Sequence, residues 1–104
     1  MKYDKLIRDN IPTIIESNGA IAKVKYAKDD SEYENYLYLK LIEEVFEFKA
    51  NPSLEEYADI TEVLDAIAIH FNFSYDAFEK IKDNKYEEKG GFKDRIILKE
   101  VTDE

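Results

Sequence analysis

Residues 43–65 read EEVFEFKANPSLEEYADITEVLD, and this stretch decides the fold because two helical patterns meet there across a single break. Upstream, at roughly 100° per residue, Leu37, Leu41, Val45 and Phe48 share one face. Downstream, Tyr57, Ile60, Leu64, Ile67 and Phe71 form a second stripe. Between them, Asn51-Pro52-Ser53 stops the first helix, and Ser53 with Glu56 makes an S-x-x-E box that opens the next. Two amphipathic helices joined by so short a turn are expected to fold back as an antiparallel hairpin.

Working outward, helix signals continue. Asp9 or Asn10 caps a short first helix near residues 10–18, with Pro12 in its first turn and Asn18-Gly19 as its stop. Ser31 and Glu34 form a capping box for the second helix, which runs to about Ala50; the third runs to about Phe71. Ser74 caps a fourth, with Phe73 and Phe78 at hydrophobic-staple spacing and Gly90-Gly91 as terminator. Residues 20–27 set Ala22, Val24 and Tyr26 against Lys23 and Lys25, a period of two that reads as a short strand or an extended arm. Arg95 opens the tail RIILKEV, which is β-branched and apolar enough to pair with that arm. The expectation is a single all-α domain over residues 1–104, a bundle of about four helices with a small two-stranded β element from residues 20–27 and 95–101.

The hairpin holds more acids than solubility requires. On the second helix Glu44 lies beside Leu37, Glu47 sits on the flank beyond it, and Glu43 points further away. On the third, Glu56 and Asp59 flank the stripe together with Val63, while Glu62 and Asp65 face the far side, where Ala58 and Ile69 also lie. Each helix thus offers an i, i+3 acidic pair at the margin of the shared core, and four carboxylates converge there if the hairpin closes. Grouped carboxylates repel one another and are costly to desolvate, so a shared divalent cation is the simplest way to stabilise them; all-oxygen ligation suits Mg²⁺, with Mn²⁺ as substitute. The plain alternative is a solvated acidic face in which Glu56 serves the capping box with Ser53.

Composition bounds the partners. With 15 Lys+Arg against 24 Asp+Glu the net charge is -9, which opposes non-specific association with nucleic acid or an anionic membrane. A phosphate-bearing ligand would need a cation as mediator. The chain has no cysteine and one histidine, so thiolate zinc and multi-His sites are excluded; His70, near the apolar face, reads as structural. The start MKYDKLIRDN lacks a signal-peptide core and no stretch approaches the ~20 apolar residues of a membrane span, so a cytoplasmic protein is expected. A chain this short buries a limited core and gains from self-association.

Glu43-Glu44-x-x-Glu47 followed by Glu56-x-x-Asp59 resembles the EExxE…ExxD metal motif of MazG-like all-α nucleotide pyrophosphohydrolases. The opening YDKLIRDNIPTIIESNG (residues 3–19) and the closing KYEEKGGFKDRIILKEV (residues 85–101) look like the termini of a short single-domain branch described as phosphoribosyl-ATP pyrophosphohydrolase-like. The resemblance implies cleavage of a nucleoside triphosphate between its α- and β-phosphates in a homodimer or homotetramer. It implies Glu44, Glu47, Glu56 and Asp59 as metal ligands and Glu43 or Glu47 as the carboxylate that deprotonates water. Lys5, Arg8, Lys85, Lys89 and Arg95 are the candidates for phosphate contacts, Arg as a fork and Lys as a point charge. One departure stands out: eight residues, 48–55, separate Glu47 from Glu56, fewer than is usual in that superfamily. Glu62 and Asp65 make a second ExxD at a more typical interval. Two other readings are phosphoribosyl-ATP hydrolysis and a non-catalytic helical module that offers its acidic hairpin to a basic partner.

Overall fold

The computed structural model describes residues 4–103, and all regular structure among them is helical. The elements are α1 (Ile11–Ser17), α2 (Asp30–Ala50), α3 (Leu54–His70) and α4 (Tyr75–Lys89). The chain divides between Phe71 and Asn72 into two compact units, the first holding α1, α2 and α3 and the second α4 with the tail.

Local chemistry sets each boundary. α1 carries Pro12 in its first turn and ends where Gly19, at φ 88°, reverses the chain while Ala20 N–H donates to the Ile15 carbonyl. The cap of α2 is Asp29, whose carboxylate accepts from Glu32 N–H at 2.8 Å, two residues before the Ser31 expected from sequence. Sequence offers both D-x-x-E and S-x-x-E there. The carboxylate cap also complements the helix dipole, and starting the helix at Asp30 places Glu34 in its second turn, where it meets His70. Ser53 caps α3 by accepting from Glu56 N–H, and Ser74 caps α4 by accepting from Ala77 N–H, both at 3.2 Å. Gly90, at φ 79°, terminates α4.

In the first unit α2 packs against α3 around Leu37 and Val63, which are 1 % and 8 % exposed, with Leu41, Phe48, Ile60 and Ile67 half-buried about them. The seam on α3 is rotated from the stripe read in sequence: Val63 lies at its centre, whereas Tyr57 and Leu64 are exposed. A two-helix pair covers only one side of a broad apolar stripe, and the side it covers is the one that also carries Glu56 and Asp59. At the far end, His70 Nε2 meets Glu34 Oε2 at 2.8 Å between the rings of Tyr33 and Phe71, tying the end of α3 to the start of α2.

The expected β element does not form: among the described residues, 20–27 and 95–101 carry no strand. Alternation specifies which side chains share a face and supplies no partner ladder. An isolated two-stranded pair is at best marginally stable in water, and here Ile21, Tyr26, Ile96 and Ile97 remain exposed. No helix among the described residues is long and apolar enough to cross a membrane.

Leu37→Ala is expected to lower the unfolding free energy by about 2–5 kcal/mol, while Tyr26→Ala stays within about 0.5 kcal/mol of the parent. Urea unfolding measures both, and comparable losses would contradict a core centred on α2 and α3.

Candidate metal centre

Three of the four carboxylates singled out as ligands come together. Glu44 of α2 and Glu56 and Asp59 of α3 each offer one ligand oxygen, and these oxygens all lie within 4.8 Å of one another. That limit slightly exceeds the about 4.2 Å spanned by two trans oxygens on a Mg²⁺ ion with bonds near 2.1 Å, so modest side-chain closure brings the set into coordination range. The hairpin produces this convergence: the turn at residues 51–53 folds the last turns of α2 against the first turns of α3.

Burial makes the arrangement costly without a cation. Glu44 is 6 % exposed, the one buried charged residue among those described, and its Oε2 is buried with no hydrogen-bond partner. Its Oε1 lies 3.3 Å from Lys40 Nζ. Burial pushes the Glu44 carboxyl above its ordinary pKa and the neighbouring Glu47 carboxylate pushes it further, with Lys40 only partly offsetting them. Glu56 Oε2 is likewise buried and without a partner. The capping box is only half made, because Ser53 accepts from Glu56 N–H while no bond from Ser53 N–H to the Glu56 carboxylate forms among the described residues. Two orphaned buried carboxylate oxygens in one three-acid cluster fit a hard divalent cation, and the donor set is all oxygen.

The remaining candidates fall around this cluster or in the second unit. Glu47 is exposed and stands beside Glu44, outside the mutually close three. Glu43 is half-buried between two ammonium groups, Lys5 Nζ at 3.0 Å and Lys40 Nζ at 3.2 Å. Burial alone would raise its carboxyl, yet the two lysines outweigh burial and hold it below the ordinary carboxylate range. Arg8, read from sequence as a phosphate contact, instead places Nη2 2.7 Å from Asp59 Oδ1. Glu62 and Asp65, the alternative acidic pair, are both exposed. Lys85 and Lys89 are exposed on α4, where they line an open cleft of about 450 Å³ with Lys82, Tyr86 and Phe92. Arg95 is exposed and adopts φ 61° just after a turn.

Sequence reasoning missed Lys40. Glu43 and Glu44 at i+3 and i+4 from Lys40 were the available signal, since such pairs meet on a helix surface.

No family model matches the chain, and no curated protein or solved structure is significantly similar to it.

The Glu44 shift sets a pH dependence. A carboxyl whose folded pKa exceeds its unfolded one binds more proton when folded, so stability falls as pH rises through the ordinary carboxylate range and up through the raised value. Metal-free Glu44→Gln is therefore expected to be more stable than the parent near pH 7, by about 1–3 kcal/mol. The gap should close on acidification, when the parent carries a neutral Glu44. Thermal unfolding in chelator at both pH values tests this; a less stable Gln variant near pH 7 would contradict it.

Proposed function

We propose that the chain is a Mg²⁺-dependent nucleotide pyrophosphohydrolase of the MazG-like all-α kind, cleaving a nucleoside triphosphate to monophosphate and pyrophosphate as a cytoplasmic nucleotide-pool enzyme. The observation that carries this reading is the cluster of Glu44, Glu56 and Asp59 with its two buried, unpartnered oxygens. The order of the acidic motif and the two terminal segments supports it further.

In this reading Glu44, Glu56 and Asp59 hold the cation, and Glu47 stands at the solvent edge beside them. When bound between them, a divalent cation would supply neutralisation of phosphate charge and a lower pKa for water. Glu47 accepts the proton of the attacking water; a new P–O bond forms as the α–β bridging P–O bond breaks, and pyrophosphate leaves with the electron pair. Lys5 and Lys40 hold Glu43 ionised and engaged, which weakens it as a base.

Self-association as a dimer or tetramer belongs to the same proposal. α2 leaves Tyr38, Leu39, Ile42, Val45 and Phe46 exposed, and α3 leaves Tyr57 and Leu64 exposed. A second copy presenting the same face would cover them through a self-complementary contact. Light scattering is expected to give two or four times the 12.2 kDa chain mass; a mass of one chain at micromolar concentration would remove this part.

The activity is tested by pyrophosphate release from a panel of canonical, deoxy and oxidised nucleoside triphosphates, with Mg²⁺ and with excess chelator. Metal-dependent release is expected, with Asp59→Asn and Glu47→Gln folded but slower on the order of 10²-fold or more. Turnover of phosphoribosyl-ATP alone would reassign the substrate. No turnover of either would leave the acidic hairpin as a binding surface for a basic partner, with salt-sensitive affinity.

A further inference from the structure

We propose that Arg8 is a displaceable counter-cation of the carboxylate cluster, which a divalent cation evicts from Asp59 and which then serves the phosphates of the incoming nucleotide; this rests on the metal-site reading above. Residues 4–10 form no regular secondary structure, and three side chains fasten them to the helical hairpin. Tyr36 OH donates to Asp4 Oδ1 at 2.7 Å, Lys5 Nζ reaches Glu43 Oε1 at 3.0 Å, and Arg8 Nη2 reaches Asp59 Oδ1 at 2.7 Å. Leu6 and Ile7 are half-buried, so the backbone of this strap stays docked and the exchange is one of side chains.

Asp59 is the one member of the three-acid cluster that carries an arginine, and its ligand oxygen lies within 4.8 Å of those of Glu44 and Glu56. A guanidinium and a divalent cation compete for the same carboxylate lone pairs. The arginine end of the pair is 55 % exposed, which makes the ion pair weak and leaves the guanidinium a clear route into solvent. Glu44 offers no such occupant at its second oxygen: it is more than nine-tenths buried, with Oε2 unpartnered within the cluster. The metal-free site thus carries a guanidinium on its open side, and on its closed side an ammonium, Lys40, that reaches only one of the two Glu44 oxygens. Once displaced, Arg8 remains at the rim with its planar fork unengaged, the geometry that suits a phosphate oxygen pair.

The exchange predicts opposite effects of one substitution on two ligands. Calorimetric titration of Mn²⁺ into Arg8→Gln is expected to show affinity about two- to fivefold tighter than the parent, because the competitor is gone. Titration of the Mg²⁺ complex of an α,β-methylene nucleoside triphosphate should show the reverse, a weaker affinity in Arg8→Gln, with Arg8→Lys intermediate in both. Unfolding midpoints of the two variants establish that each is folded. Looser or unchanged Mn²⁺ binding in Arg8→Gln, with the parent binding Mn²⁺ normally, would overturn the exchange alone and make Arg8 a positioning residue for Asp59 or a bystander. Failure of the parent to bind Mn²⁺ at all would overturn the metal-site reading and the exchange with it.

Discussion

A nearly buried carboxylate, one of whose oxygens has no partner, constrains the first unit. Glu44 is enclosed between α2 and α3, and the packing that encloses it is the same packing that buries Leu37 and Val63. The apolar seam and the acid are adjacent rows on one helix, so the hairpin cannot bury the first without partly burying the second. Lys40 reaches one oxygen of Glu44 and leaves the other without a partner. Cations stand around the acids, with Lys40 from within α2 on Glu43 and Glu44, Lys5 on Glu43 and Arg8 on Asp59 from the amino-terminal strap, and a divalent cation in the functional reading.

The positive groups divide the acids into two kinds. Glu43 is paired with two lysines and held ionised, as a structural anion is. Glu44 and Glu56 keep buried oxygens without partners, which a fold built for stability alone would replace with apolar side chains. Two such oxygens beside Asp59 are the observation on which the metal-site reading rests. The short turn at residues 51–53 then places the acids of both helices near one end of the hairpin, while His70 and Glu34 close the other.

Much of this is legible in the sequence, because helix ends are written in local chemistry. Gly19, Ser53, Ser74 and Gly90 each mark a boundary that the structure keeps. Periodicity also singled out Glu44, Glu47, Glu56 and Asp59 at the margin of the apolar stripe, since angular position on a helix depends only on spacing, and the structure brings three of these four together, leaving Glu47 outside. What sequence left open was set by tertiary choices. The capping of α2 at Asp29 instead of Ser31 selects between two adequate boxes. The rotation of α3 about Val63 depends on which side of a broad stripe meets a partner. Residues 20–27 alternate as a strand does yet find no ladder, and the pairing of Arg8 with Asp59 spans 51 positions that no local pattern encodes.

If Glu44, Glu56 and Asp59 share one divalent cation, anomalous scattering from crystals grown with Mn²⁺ will show a single strong peak between these three side chains, about 2.0–2.3 Å from a carboxylate oxygen of each. A peak on Glu62 and Asp65, or no peak at the three acids with Mn²⁺ at saturating concentration, would contradict a shared site.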